Sequence, residues 1–224
     1  MTRPAADQES IPADRHPVAV DCTPVVVAGG RSRRFGEADK LLAEVGGRSL
    51  VDHAVAASLE ATGARPIIAT RDRDHARRID DAVDAVPPRY VHDDPEYAGP
   101  VAGVAAALAA VETPWVFVCG GDMPWLSPAA IEALSERADR LDPAGVVPRH
   151  EGFLEPLHGF YRVVDLETAV ADACGHTSLR GVVERLTPLV TVPTTHADAA
   201  LRESLADVDE REDLPQRERE VAAQ

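Results

Sequence analysis

A single lysine, Lys40, stands among 22 arginines in a chain of 224 residues. It closes the segment AGGRSRRFGEADK, residues 28–40, in which Gly29 and Gly30 follow the apolar run VVVA of residues 25–28. Adjacent glycines directly after a strand let the backbone turn sharply and aim its N–H groups above the strand end, where an anion is the usual guest. Arg31, Arg33, Arg34 and Lys40 against Glu37 and Asp39 give residues 31–40 a charge of +2, whereas the whole chain, with 38 acidic and 23 basic side chains, stands at −15. A polyphosphate guest explains that inversion; the alternative is a surface turn with exposed arginines. Lysine reaches phosphate oxygens as a compact point charge on a flexible stem, and its retention at this one position favours the phosphate. The segment is not a Walker A loop, since no G-K-[ST] follows, nor a dinucleotide fingerprint, since G-x-G-x-x-G is absent.

A second loop supplies the opposite charge. Gly120, Gly121 and Asp122 follow the apolar run WVFVC of residues 115–119, and a carboxylate released beside glycines at a strand end suits a Mg²⁺ carried by nucleotide phosphates. Asp122 could instead cap the next helix, but Ser127 already occupies the cap position before Pro128. Between the two loops lies HDDPEYAGPVAG, residues 92–103, where Asp93 or Asp94 could accept hydrogen bonds from a base or ribose, or belong to a solvated acidic turn. The cluster DVDEREDL, residues 207–214, offers Asp207 and Asp209 as further metal ligands or reads as a helix start. His150 and His158 flank a loop open to an acceptor substrate, although isolated loop histidines are usually solvated. Trp125, beside Asp122, is the stacking candidate; Trp115 and Phe117 lie in a strand pattern and read as core.

Periodicity predicts the elements that position these groups. Residues 25–28, 66–70, 89–92 and 115–119 read as strands, and 50–59, 72–83, 101–111 and 128–137 as helices. Residues 144–162 read as two strands around a loop, followed by helical stretches at 163–173 and 178–186 and a strand at 189–192. Alternation of this kind predicts an α/β domain of right-handed βαβ units around a mostly parallel sheet, with helices on both faces and ligands at the carboxyl ends of the strands. A single domain is expected over residues 23–214, with a polar tail at 1–22 and a charged one at 215–224. Cys22, Cys119 and Cys174 are too few and too scattered for a disulfide framework or a zinc site. No apolar run reaches the length of a membrane helix and the N-terminus lacks an apolar signal core, so a cytoplasmic address is expected. So acidic a surface repels nucleic acid and anionic lipid.

Taken together, the motifs resemble the molybdenum cofactor guanylyltransferase family of Rossmann-like nucleotidyltransferases. VAGGRSRRFGEADK, residues 27–40, meets the family's opening L-A-G-G-x-S-x-R-x-G-x-D-K with one residue of register adjusted around Phe35. GPVAG, residues 99–103, is similar to its G-P-L-A-G, and GDMP, residues 121–124, to its C-D-M-P. EPLHGFYR, residues 155–162, and DVDEREDL, residues 207–214, resemble its Pro-Leu loop and its closing N-x-N-T-P-E-D-L. The resemblance implies a three-layer fold in which Val27, Ala28 and Gly29 hold the nucleotide and Lys40 its phosphates. It further implies that Asp93 contacts guanine or ribose and that Asp122 ligates Mg²⁺.

Two departures bear on specificity: Thr70 stands where the family often has Asn at the nucleotide, and Asp207 and Asp209 replace the final Asn pair. Acidic residues there are similar to those of the related cytidylyltransferases. The implied reaction moves GMP from GTP to the terminal phosphate of molybdopterin, with Gly29, Gly30, Arg34 and Lys40 around the triphosphate and Asp122, with Asp207 and Asp209, around the metal. Other readings are an adenosylcobinamide-phosphate or phospholactate guanylyltransferase, a molybdopterin cytidylyltransferase, or a non-catalytic nucleotide-binding module; the expected assembly is a monomer or weak oligomer.

The acidic excess suits a halophilic source, where salt screens the mutual repulsion of carboxylates. The melting temperature is expected to rise steeply with KCl concentration; full stability in dilute buffer would contradict this.

Overall fold

The computed structural model describes residues 18–30, 39–84, 87–173, 176–194, 199–209 and 213–214. Strands β1 (Cys22–Val27), β4 (Ile67–Thr70), β5 (Arg89–His92), β6 (Trp115–Gly120), β7 (Gly145–His150), β8 (Phe153–Leu154), β9 (His158–Arg162) and β10 (Leu189–Pro193) form one eight-stranded sheet. Its order is β10-β7-β9-β6-β1-β4-β5, with β8 paired to β7. A separate hairpin, β2 (Glu44–Val45) and β3 (Arg48–Ser49), follows the first loop.

The helices divide between the two faces, and consecutive strand residues point to opposite sides. Val26, Ile68, Phe117, Cys119, Val146 and Phe160 pack with Val51 and Val55 of α1 (Leu50–Thr62) and Ile131 and Leu134 of α4 (Pro128–Leu141). Ile79 of α2 (Arg73–Asp80) and Leu201 of α7 (Ala199–Ser204) join the same side. Their neighbours Val25, Ile67, Val116, Val118, Val147 and Tyr161 face α3 (Pro100–Leu108), α5 (Val163–Ala171) and α6 (Leu179–Val183). The continuous apolar runs at 25–28 and 115–119 are therefore strands buried on both faces, as parallel strands under two helical layers must be. The three-layer α/β architecture is the expected one.

Packed residues extend further toward the N-terminus than expected. Val18 and Val20, assigned from the sequence to the tail, are buried in the core, and the Val18 N–H donates to the Ala61 carbonyl at 3.2 Å. Strand β1 starts at Cys22 because Cys22 and Thr23 pair with Trp115 and Val116. Residues 1–17 and 215–224 lie outside the described residues.

The stretch expected as two strands around a loop is three strands, and β9 runs antiparallel to both β6 and β7. Three residues separate β8 from β9. The chain reverses earlier, at the two-residue turn of Glu151 and Gly152 between β7 and β8, whose positive φ angles suit a tight hairpin, and β9 continues in the direction of β8.

His158, weighed from the sequence as an acceptor contact, is instead fully buried, edge-on to Phe117 with ring centroids 5.7 Å apart. Burial depresses its pKa from the ordinary histidine value of 6.5 to about 3. The unfolded chain therefore binds a proton that the folded chain refuses as pH falls from 6.5 toward 3, and stability is lost across that window. His158→Leu should flatten this limb: urea midpoints of wild type and variant should diverge below pH 6.5, with the wild type losing more. Parallel curves would show that folding does not lower the pKa of His158.

Candidate active site

The functional side chains converge at the carboxyl ends of β1, β4, β5 and β6, around a cleft of about 700 Å³. Val27, Ala28, Gly29, Gly30, Lys40, Asp93 and Asp122, all expected at the site, line it. Arg34 falls outside the described residues.

Lys40 opens a single 3₁₀ turn, Lys40–Leu42, whose middle residue Leu41 is buried beneath it. Its ammonium lies 2.6 Å from Asp122 Oδ2 and 3.0 Å from Asp209 Oδ1, with the lysine side chain 12% exposed. Burial works against the charged amine, but the two carboxylates outweigh it and hold the Lys40 pKa above the ordinary lysine value. Asp122 therefore meets the lysine and does not cap α4. Ser127 stands at the cap position without making a side-chain cap bond, and its N–H donates to Ser204 Oγ at 2.9 Å.

In the acidic cluster expected as a possible helix start, residues 207–209 are not helical, whereas Asp213 belongs to a 3₁₀ turn. The Val208 N–H donates to the Asp122 carbonyl at 3.0 Å, and the Val208 side chain is buried with Leu50 and Leu214. With Val208 turned inward, Asp207 and Asp209 flank it beside the loop of Asp122. The three carboxylates bring oxygens within 4.8 Å of one another. Burial raises the Asp207 pKa, and repulsion from Asp122 and Asp209 raises it further.

Asp93 and Asp94 have separate tasks. Asp94 Oδ1 accepts from the Glu96 N–H at 2.9 Å, an Asx turn. The Asp93 carboxylate lies between two glycines: a Cβ on Gly29 would overlap it, and one on Gly103 would come within 3.2 Å. Its Oδ1 is buried with no hydrogen-bond partner among the described residues, and burial raises its pKa. Unpaired buried acceptors of this kind are costly, which points to a donor supplied by a ligand.

Several expectations change. Thr70 is fully buried, its hydroxyl 3.3 Å from the Asp72 and Val91 carbonyls and from His92 Nδ1, and it is not among the residues that line the cleft. Its contribution is through the backbone, because its carbonyl accepts the Asp93 N–H at 2.8 Å. The neighbouring Arg71 lines the cleft in its place. Trp125 is exposed and does not line the cleft, whereas Tyr97 and Leu157 do. His150 Nδ1 lies 2.8 Å from Thr194 Oγ1. Arg71 was legible as a cation directly after a strand's carboxyl end; nothing in the spacing distinguished Tyr97.

Residues 24–190 match the MobA-like NTP transferase domain. The chain belongs to that family. A probable molybdenum cofactor guanylyltransferase from Natronomonas pharaonis is 41% identical over 151 residues, 67% of this chain and 73% of its own length. One from Thermococcus gammatolerans is 31% identical over 191 residues, 84% of this chain and 95% of its own. Molybdopterin-guanine dinucleotide biosynthesis protein A from Archaeoglobus fulgidus shares the fold, with a TM-score of 0.69 over 90% of this chain and 98% of its own, at 23% identity.

In this MobA-like transferase the contact between Gly29 and Asp93 gives a sharp test. Gly29→Ala should push the Asp93 carboxylate out of place and weaken GTP binding at least about tenfold, or ~1.4 kcal/mol, with the melting temperature little changed. Calorimetric titration with GTP measures it; unchanged affinity would remove Asp93 from the nucleotide site.

Proposed function

We propose that the protein transfers GMP from GTP to the terminal phosphate of the molybdopterin cofactor, forming the guanine dinucleotide cofactor and pyrophosphate. The observation that carries this reading is the Lys40 ammonium held on Asp122 and Asp209 at the mouth of the Gly29-Gly30 turn. A phosphate oxygen of the acceptor attacks the α-phosphorus in line, and the bond from that phosphorus to the β-phosphate oxygen breaks. Such chemistry needs positioning and charge neutralisation more than a protein nucleophile.

The Gly29 and Gly30 segment and Lys40 hold the triphosphate, with Arg34 assigned to it by the family motif. Asp93 supports the choice of base: its buried Oδ1 seeks a donor, and guanine offers N1–H and the N2 amine side by side. Asp122, with Asp207 and Asp209, would hold a Mg²⁺. The fit rests on hard oxygen donors gathered within 4.8 Å and already turned toward a cation, the Lys40 ammonium. When bound, such an ion neutralises phosphate charge in the transition state. Leu157 and the loop before β9 border the cleft on the far side from Asp93, where the acceptor would enter. No helix among the described residues is long and apolar enough to cross a membrane; a monomer or weak oligomer in the cytoplasm, where GTP is supplied, completes the proposal.

Pyrophosphate release measured with each nucleoside triphosphate against molybdopterin, cobinamide phosphate and phospholactate tests the assignment. GTP with molybdopterin should be the productive pair, and turnover confined to CTP would reassign the base. Lys40→Ala should fold normally and lose about 10²- to 10³-fold in kcat, as removal of one electrostatic stabiliser typically does. Near-normal transfer by that variant would overturn the role of the lysine.

A further inference from the structure

The Gly-rich segment is gripped at both described ends by one side chain that lies outside the proposed chemistry. Arg71 Nη1 donates to the Gly30 carbonyl at 3.2 Å, and Arg71 Nη2 donates to Asp39 Oδ2 at 3.3 Å. The same Asp39 oxygen lies 2.8 Å from His75 Nε2, close but out of line for a hydrogen bond, and 3.5 Å from Arg78 Nη2. The other carboxylate oxygen, Oδ1, caps the 3₁₀ turn that carries Lys40, accepting from the Leu41 N–H at 3.4 Å. His75 is fully buried and the Asp39 side chain is 4% exposed. His75 is held in turn by its backbone, whose N–H donates to Asp72 Oδ1 at 2.7 Å at the start of α2.

A buried ion cluster of this kind is weak evidence for stability, because desolvation offsets most of the attraction. Its placement suggests another use. Lysine brings its charge to a phosphate on a stem with several rotatable bonds, so the ammonium can be placed only if the backbone beneath it is fixed. Asp39 is the residue directly before Lys40, and Gly30 is where the segment leaves β1.

We propose that Arg71 and His75 are positioning residues: by holding Gly30 and Asp39 in fixed relation they set the Lys40 ammonium against Asp122 and Asp209. The proposal rests on the nucleotidyl-transfer reading for its effect on turnover, but not for its effect on Lys40. His75 acts through Asp39 and does not line the cleft; Arg71 lines it and is in reach of a ligand as well.

Because Lys40 is the sole lysine, the full-length protein grown with ¹³Cε-labelled lysine gives one lysine cross-peak, read without nucleotide. His75→Leu and Arg71→Met should each move that cross-peak and lower kcat for GMP transfer about 10²-fold, the cost typical of a misplacement near 1 Å. For His75→Leu the KM for GTP should stay within about threefold of wild type. His75→Gln, whose amide nitrogen can donate to Asp39, should return the cross-peak and most of kcat. An unmoved cross-peak with full kcat in both His75→Leu and Arg71→Met would overturn the proposal. So would a His75→Gln protein no better than His75→Leu, since that pattern belongs to core packing. If the buried His75 variants do not fold, Arg71→Met decides alone, its side chain being 26% exposed in the wild type. A wild-type protein that transfers no nucleotide would defeat the reaction reading, while the cross-peak would still decide the clamp.

Discussion

An ammonium set among three carboxylates is the constraint around which the rest is arranged. Separately, each of these groups loses hydration in a half-closed cleft, and the carboxylates repel one another. Together, Lys40 with Asp122 and Asp209 forms a compact cluster whose members come from three distant places in the chain. The 3₁₀ turn delivers the lysine, the end of β6 delivers Asp122, and a strip tied to it by the Val208 backbone delivers Asp207 and Asp209. The sheet beneath is the means of fixing these arrivals. β1 lies between β4 and β6, so the two loops that must face each other start from adjacent strands.

Most of the fold was legible because strands buried on both faces leave unbroken apolar runs. WVFVC at 115–119 and VVV at 25–27 could hardly be anything else at that length. Topology was harder: that β9 runs backwards follows from the two-residue turn of Glu151 and Gly152, which reverses the chain after β7, and β8, the strand that turn opens, is only two residues long. The hairpin of β2 and β3 also has a local signal in the sequence. Gly46 and Gly47 both have positive φ, 61° and 81°, as a two-residue hairpin turn requires, and two adjacent glycines between short polar strands announce it.

The site divides in the same way. Lys40, Asp122, Asp93 and the glycines were readable because each sits directly after a strand or closes a motif. Val208 explains why Asp207 and Asp209 come along: an apolar residue between two acids is an alternation, and alternation means one side buried and the other turned away. What could not be read was which side chains would be spent internally. His158 looked like a loop residue until its strand was placed in the middle of the sheet, and Thr70 gave its hydroxyl to neighbouring backbone. Burial depends on what packs above a residue, and that is a property of distant sequence.

The reversed strand β9 has a consequence for how such a cleft can diversify. On the Asp93 side, every loop at the rim joins a strand to a crossover helix, so a change in loop length disturbs the packing of a whole layer. On the other side, the rim carries Leu157 and the short turns of the β7–β8–β9 run, a tight hairpin followed by a three-residue link with no crossover helix. Those turns can lengthen, shorten or exchange residues without moving a helix. One half of the cleft is thus mechanically conservative and the other interchangeable, a division that lets a fixed way of handling one substrate be combined with many second substrates.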